Sequence, residues 1–456
     1  MPSLTPVVPG SLTLNGNLVS AGLLVYNVAS YLAVGDGVQD DTVAIRAALA
    51  DAALTGGIVW SVPGKTYMVS SSLVVGAACT VDFSGSTIKK TSAVADYAVK
   101  VTANNVTLRR LVVDGNKAGG ATSGGIKWTG SGGLAIDVET NTTNNVGFYV
   151  NGGVVDCYRC KSQSNDSNGW QVDTAGVARL FGPCYAANNT GRGVLFSSTA
   201  GPDCHVDLRS FSNFAAVGAR SDRGTSSMII SDHEDHYGVY LDGGSRWRFG
   251  TVIVGYPGIN DASPGSGDPS GCPVFLQGAR YCRFGVIIAH GHPGYGVALS
   301  SNPDNTPGAE STHNSFGFVS IDATDSNNGS DPGISLVSGS SYNRFGSVHV
   351  RGHSAGVRIG EGYRPRANNR NHIDSLYTDA CVGCAYVVDA GSYNTVGEII
   401  SRDTQTQFSA QGEKGVVNFF MDGAPVTGTI TTGTNSLVLS SIAGLSIGTR
   451  YTIGSA

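Results

Sequence analysis

A five-residue phrase recurs through the middle of the chain and constrains it more than any other feature. It runs small, apolar, variable, apolar, polar: Gly125-Ile126-Lys127-Trp128-Thr129, Gly147-Phe148-Tyr149-Val150-Asn151, Gly169-Trp170-Gln171-Val172-Asp173 and Gly193-Val194-Leu195-Phe196-Ser197. It returns loosely as Ala216-Val217-Gly218-Ala219-Arg220 and again as Gly238-Val239-Tyr240-Leu241-Asp242. Successive copies begin 22 to 24 residues apart. Inside each copy the apolar residues alternate at period 2, as in a strand with one buried face. A strand phrase repeated at this interval predicts a β-solenoid, whose coils bury their apolar faces only by stacking on one another.

The 64 glycines and 16 prolines among 456 residues would suit a low-complexity chain. A hydrophobic fraction of 41% and the strict alternation exclude that reading. The net charge of −5 leaves no chain-wide basic footprint, so no nucleic-acid partner is expected. Arginines gathered locally would still suit an anionic glycan. No apolar run is long enough to span a membrane, and no secretory signal is visible at the N-terminus. The nine cysteines include Cys157-x-x-Cys160 and Cys381-x-x-Cys384, far apart and each in a strand-like segment, and Cys160 and Cys184 lie one coil apart. They read as buried free thiols rather than a zinc or redox site. No metal and no cofactor is expected.

Residues 1–30, with alternation across Ser11-Leu12-Thr13-Leu14-Asn15, read as an N-terminal arm or hairpin. Asp40 or Asp41 is placed to cap a helix over about 40–54, with Val43, Ile45, Leu49 and Leu54 as its buried stripe and Gly56-Gly57 as its stop. A helix laid over the first coil shields an open sheet edge. The block Gly35-Asp36-Gly37-Val38-Gln39-Asp40-Asp41-Thr42, with Ala44-Ile45 and Ala48-Leu49, then Gly56-Gly57-Ile58-Val59 and Val62-Pro63-Gly64-Lys65-Thr66-Tyr67, resembles the opening of the pectate-lyase-like family. The resemblance implies an all-β fold, a right-handed single-stranded parallel β-helix with an N-terminal capping α-helix. That family is common among bacteriophage tailspikes and tail-fibre depolymerases. It therefore implies a polysaccharide partner, a homotrimer, attachment to a phage tail through one terminus, and a place on the virion tail or outside the cell. The aspartates of the block read as cap and turn residues, not as catalysts. The expected division is an arm over 1–30, the β-helix over 31–422 and a Gly/Thr/Ser-rich β segment over 423–456.

Polar turns at Asn144-Asn145, Asp166-Ser167-Asn168, Asn188-Asn189 and Asn213 predict asparagines stacked at a repeated corner. Beyond Gly238 a second phrase appears, Arg248-Phe249-Gly250, Arg283-Phe284-Gly285, Ser315-Phe316-Gly317 and Arg344-Phe345-Gly346, with turn-rich insertions at 255–271 and 302–314. Tyr363-Arg364-Pro365-Arg366 reads as a basic surface loop.

Strands of neighbouring coils lie ~4.8 Å apart, so equivalent residues form columns. The outward columns of the first phrase place Tyr149, Gln171 and Tyr240 beside Asp173, Arg220 and Asp242, groups that suit sugar hydroxyls and sugar faces; these are the candidate substrate contacts. The densest ionisable cluster is Asp232-His233-Glu234-Asp235-His236. Asp232 and Glu234 are expected on one face of a strand. With Asp242 they form a carboxylate pool for glycoside hydrolysis, which needs two carboxyls ~5–5.5 Å apart for retention or ~6.5–9.5 Å for inversion. Uronan lysis or epimerisation would instead use His233 or His236 as base and Arg220 to neutralise the uronate. A non-catalytic glycan-binding or structural helix remains the third reading. His290-Gly291-His292 interchanges the glycine and histidine of the polygalacturonase Gly-His-Gly element, which speaks against that activity.

Overall fold

The computed structural model describes residues 5–8, 11–14, 17–20, 23–92, 95–121, 123–255, 271–291, 294–301, 310–323, 331–360, 368–388, 393–402, 406–410, 415–421, 424–430 and 437–439. It comprises two compact units, Met1–Phe214 and Ala215–Ala456, each an all-β parallel solenoid.

In the first unit the strands Leu73–Val75, Val99–Val101, Ile126–Trp128, Phe148–Asn151, Trp170–Asp173 and Val194–Phe196 pair in parallel, one per coil. The register joins Ile126 to Phe148, Trp170 and Val194, as the phrase requires. Trp128, Phe148 and Trp170 are fully buried, so the phrase is apolar where it faces the core. A second parallel sheet holds the longer strands Thr80–Lys90, Thr107–Asp114, Gly133–Asn141, Val177–Ala187 and Cys204–Phe211. The strands Thr5–Val8, Ser11–Leu14, Asn17–Ser20 and Leu23–Asn27 form an antiparallel meander, which accounts for the alternation in the expected arm.

The helix spans Thr42–Thr55 and packs on Leu23–Asn27, Ile58–Trp60 and Leu73–Val75. Its buried stripe is Ile45, Ala48, Leu49 and Ala52, at helical spacing. Val43 and Leu54, expected inside, are exposed, because at 3.6 residues per turn they fall on the side of the helix opposite that stripe. Asp41 is the N-cap, yet its carboxylate accepts from the amides of Val34 (2.7 Å) and Gly35 (3.1 Å) rather than from the helix. Asp40 takes the first-turn amide of Thr42 at 3.0 Å.

In the second unit one sheet contains Tyr237–Asp242, Val274–Gln277, Val297–Ser300, Ile334–Leu336, Ala355–Ile359 and Cys384–Val388. The other contains Gly224–Asp232, Arg248–Gly255, Arg283–His290, Ser315–Asp322, Arg344–Arg351, His372–Asp379 and Thr395–Arg402. The Arg-Phe-Gly phrase acquires its reason here. Phe249, Phe284, Phe316 and Phe345 stack in the core with centroids 4.8, 5.1 and 4.4 Å apart. A Cβ on Gly285 or Gly317 would lie 2.6 or 2.5 Å from the carbonyl oxygen of the coil before, so only glycine fits. Gly415–Met421, Ala424–Ile430 and Leu437–Leu439 pair antiparallel near the C-terminus.

Buried asparagine ladders run up a corner of each unit. In the first, Asn165 Nδ2 and Asn189 Nδ2 each donate to the next side-chain oxygen at 2.7 Å, ending on Asn213. In the second, Asn314, Asn343, Asn371 and Asn394 repeat the bond at 3.0–3.1 Å. Each oxygen also accepts the backbone amide of the coil before, so the ladder satisfies buried main chain as well as itself. All nine cysteines are free thiols, eight of them buried.

Candidate functional site

The outward face of the short-strand sheet in the first unit assembles a compact polar and aromatic group. Lys100, Lys127, Tyr149 and Gln171 are successive register partners and therefore stand in one column. Asn151 and Asp173 form the adjoining column. The Lys127 ammonium lies 5.7 Å over the Tyr149 ring, and Tyr97 stacks on the same ring at 5.8 Å. Asn151 Nδ2 donates to the Tyr149 hydroxyl at 2.6 Å. Gln171 Nε2 donates to Asp173 Oδ2 at 2.7 Å, while its own oxygen accepts from Asn168 at 3.0 Å. Lys100 holds Asp96 at 2.8 Å.

Burial pushes the phenols of Tyr97 and Tyr149 up, and the Asp173 charge adds to the effect at both. Both therefore keep their protons at neutral pH and act as donors. Burial works against ionisation of Asp96, but the Lys100 hydrogen bond and the Tyr97 amide outweigh it and hold the carboxyl below the usual range. The face thus offers rings, two ammonium groups, two carboxylates and three side-chain amides, all half-buried or better on a rigid sheet.

The structure brings together Tyr149, Gln171 and Asp173 as the repeat predicted. Asp96, Tyr97 and Lys100 were missed, although Ala98-Val99-Lys100-Val101-Thr102 fits the phrase one coil earlier. Its wider spacing from Gly125 hid it.

The predicted residues of the second unit lie on different elements. Arg220 Nε contacts Asp242 Oδ2 at 2.8 Å, and the Tyr240 hydroxyl donates to Gln277 at 2.6 Å. Tyr237, Tyr240 and Phe275 form a stacked trio 5.0–5.6 Å apart. Asp232 ends its strand, and His233 turns the corner with φ 52°. The expectation that Asp232 and Glu234 share a strand face is therefore wrong: a left-handed residue separates them and the period of two is broken. Ser164, Asn188 and Ser212 turn corners of the first unit in the same way and are followed by ladder residues Asn165, Asn189 and Asn213. Glu234 holds the corresponding place and is fully buried. Asp232 remains half-exposed with His233 Nδ1 at 2.8 Å. Gly255 leaves a notch beside it, where a Cβ would lie 2.8 Å from Asp232 Oδ1 and 3.1 Å from His290 Nε2. Tyr363–Arg366, His292 and most of the two insertions lie outside the described residues. Among the described residues no cluster of His, Cys, Asp and Glu is arranged to hold a metal, and no helix is long and apolar enough to cross a membrane.

Residues 25–92 match the family model described as Rhamnogalacturonase A/epimerase, pectate lyase-like. No curated protein matches the chain by sequence. Among solved structures, the chain is similar to the A-module of the mannuronan C-5 epimerase AlgE6 of Azotobacter vinelandii (16% identity, TM-score 0.49, covering 84% of this chain and 95% of that one). It is also similar to ORF18 of Geobacillus virus E2 (14%, 0.31, 95% and 71%) and to the family 28 exopolygalacturonase of Yersinia enterocolitica (11%, 0.45, 91% and 83%).

Proposed function

We propose that this protein binds and depolymerises a bacterial surface polysaccharide, in the manner of a phage-type tailspike that acts as a homotrimer outside the cell. The observation that carries the reading is the outward face around Tyr149. Phenol rings offer apolar surface to sugar rings, while Asp173, Gln171, Asn151 and Lys127 stand ready for hydroxyls. The match of the first coil to a family described by a rhamnogalacturonase and an epimerase supports a carbohydrate substrate.

Cleavage by glycoside hydrolysis would draw on accessible carboxyls. Asp232 fits that requirement for one of the two groups, with the Gly255 notch beside it and the imidazole of His233 or His290 as the second proton-exchanging group. Asp242 is engaged by Arg220, so it orients substrate or the arginine rather than exchanging a proton. Glu234, being buried, supports the corner.

A second reading is favoured by one feature. Lys127 beside a protonated Tyr149 would neutralise a uronate carboxylate. With a base to take the sugar C5 proton, the Tyr149 hydroxyl would give its proton to the leaving oxygen in a lyase, or to C5 from the opposite face in an epimerase.

The test is incubation of the full chain with capsule and exopolysaccharide preparations. New reducing ends without unsaturated product are expected. Unsaturated product would move the chemistry to the lyase reading, and no cleavage with retained binding would leave an adhesin. Asp232→Asn is expected to abolish hydrolysis and Glu234→Gln to spare it; if Asp232→Asn cleaves normally, the assignment of Asp232 fails. Light scattering that gives a monomer would overturn the trimer.

A further inference from the structure

Before each long strand of the second unit, the chain turns through one residue in the left-handed backbone region, and these residues form a column. Arg223, Arg246, Tyr281, His313, Tyr342, Arg370 and Tyr393 all have φ between 56 and 61°, and all seven side chains are exposed. Backbone bonds link them coil to coil, from Arg246 N to Arg280 O (2.9 Å), Tyr281 N to Thr312 O (3.1 Å) and Tyr342 N to Asn369 O (2.9 Å). Their side chains stack as well. Tyr281, His313 and Tyr342 follow one another at 5.0 and 4.9 Å, and the Arg370 guanidinium lies 5.5 Å over Tyr342 and 5.8 Å from Tyr393.

The left-handed region is strained for bulky side chains and suits Gly, Asn and Asp. The first unit uses those cheaper residues before three of its long strands, with Asn105, Gly132 and Asp203 in left-handed conformation, and Thr174-Ala175 before a fourth. Core packing does not call for rings in the second unit, since Tyr281, Tyr342 and Tyr393 are 52%, 45% and 60% exposed. A second cost lies beside the first. Arg248 and Arg283 are direct register partners, and like charges so placed repel. Among the described residues, Arg246, Arg248 and Arg283 make no ion pair, in a chain whose net charge is −5. Like charges in register beside a column of exposed rings point to an anionic ligand that neutralises the charges and lies along the rings.

We propose that this corner is a binding surface for an acidic polysaccharide. The arginines meet its carboxylate or sulfate groups, and the rims and hydroxyls of the tyrosines meet its sugar hydroxyls. The proposal rests on the polysaccharide reading and adds to it a chemical class and a second contact surface. A single-stranded nucleic acid is the poorer fit, because the inner ring faces already stack on one another and are closed to bases, which bind by stacking.

The test measures binding of the full chain to polygalacturonate, alginate and hyaluronan, with dextran as neutral polymer and oligo-dT as a nucleic polyanion. At least one polyuronate is expected to bind more tightly than dextran, and added salt should weaken it. Replacing Arg248→Ser together with Arg283→Ser should lower that affinity about fivefold, two exposed charge contacts being removed. Ser315 occupies the same column on the next strand, so serine is compatible with the fold. Tyr281→Asn with Tyr342→Asn should also weaken binding while the thermal midpoint holds or rises, because asparagine suits the backbone there. The proposal is overturned if no polyuronate outbinds dextran, if both variants bind like the parent, or if oligo-dT binds as tightly at equal salt. If the corner variants are silent while Tyr149→Ala still weakens glycan binding, the corner fails and the polysaccharide reading stands. If no polymer binds or is cut, both fail.

Discussion

The two units place different chemistry on the same kind of strand. In the first, the outward position of the short strands holds Lys100, Lys127, Tyr149 and Gln171, all half-buried. In the second, the matching column runs Tyr240, Phe275, Ala298, Ser335 and Arg358, and its middle three members are buried. The exposed chemistry of the second unit sits instead at its corners, in Asp232 and His233 and in the Tyr–Arg column. A solenoid face is thus not a site by virtue of alternation. Whether an outward residue meets a ligand depends on whether its coil leaves that face uncovered.

The contrast is most severely tested at the buried ladders that set the corners. Asn189→Ala should destabilise the first unit by about 3 kcal/mol, because it takes the acceptor from the buried backbone amide of Asn165 and removes one donor each from the oxygens of Asn213 and Ser162. Denaturant unfolding of the full chain measures this, and a loss below about 1 kcal/mol would show the ladder to be incidental.

The units should also answer differently to pH. Burial lowers the Lys90 ammonium to about 8, so the unfolded chain holds that proton more tightly than the folded one. Stability of the first unit should therefore rise between about pH 8 and 10.5, by up to about 3 kcal/mol, and Lys90→Met should flatten the rise. Burial likewise lowers His353 in the second unit to about 4. Its neutral form is the folded form, so stability is complete above about pH 6.5 and falls by a similar amount as pH drops toward 4. Thermal melts across both windows would separate the two limbs. An acid limb that survives His353→Asn would sink the assignment.

A smaller effect is expected on the open face. Tyr149→Ala should weaken glycan binding about tenfold, about 1.4 kcal/mol, with Tm little changed. Tyr240→Phe, which loses the bond to Gln277 within the second unit, should leave binding within about twofold. Titration calorimetry with a bound glycan compares the two, and equal losses would erase the distinction between the faces. The smallest effect concerns the thiols. Burial pushes Cys79 up to about 11 and Cys272 up to about 12, so native protein should take one alkylating label, on half-exposed Cys384. Mass spectrometry reads the number directly.

The sequence alone determined the solenoid, the register of the short strands, the helix near the first coil and the burial of eight of the nine cysteines, Cys384 being half-exposed. Each follows from a local period, and a period of two repeated every 22 to 24 residues admits few other packings. Three of the predicted sugar contacts, Tyr149, Gln171 and Asp173, share one face for the same reason. What only the tertiary structure decided depends on breaks in that period. The left-handed His233 separated Asp232 from Glu234 and carried the glutamate into a buried corner, where the sequence showed only a run of charges. The exposed column from Arg223 to Tyr393 was equally hidden, since its members are 23 to 35 residues apart and share no residue type. They are related by a backbone conformation, and a sequence read for side-chain periodicity does not display one.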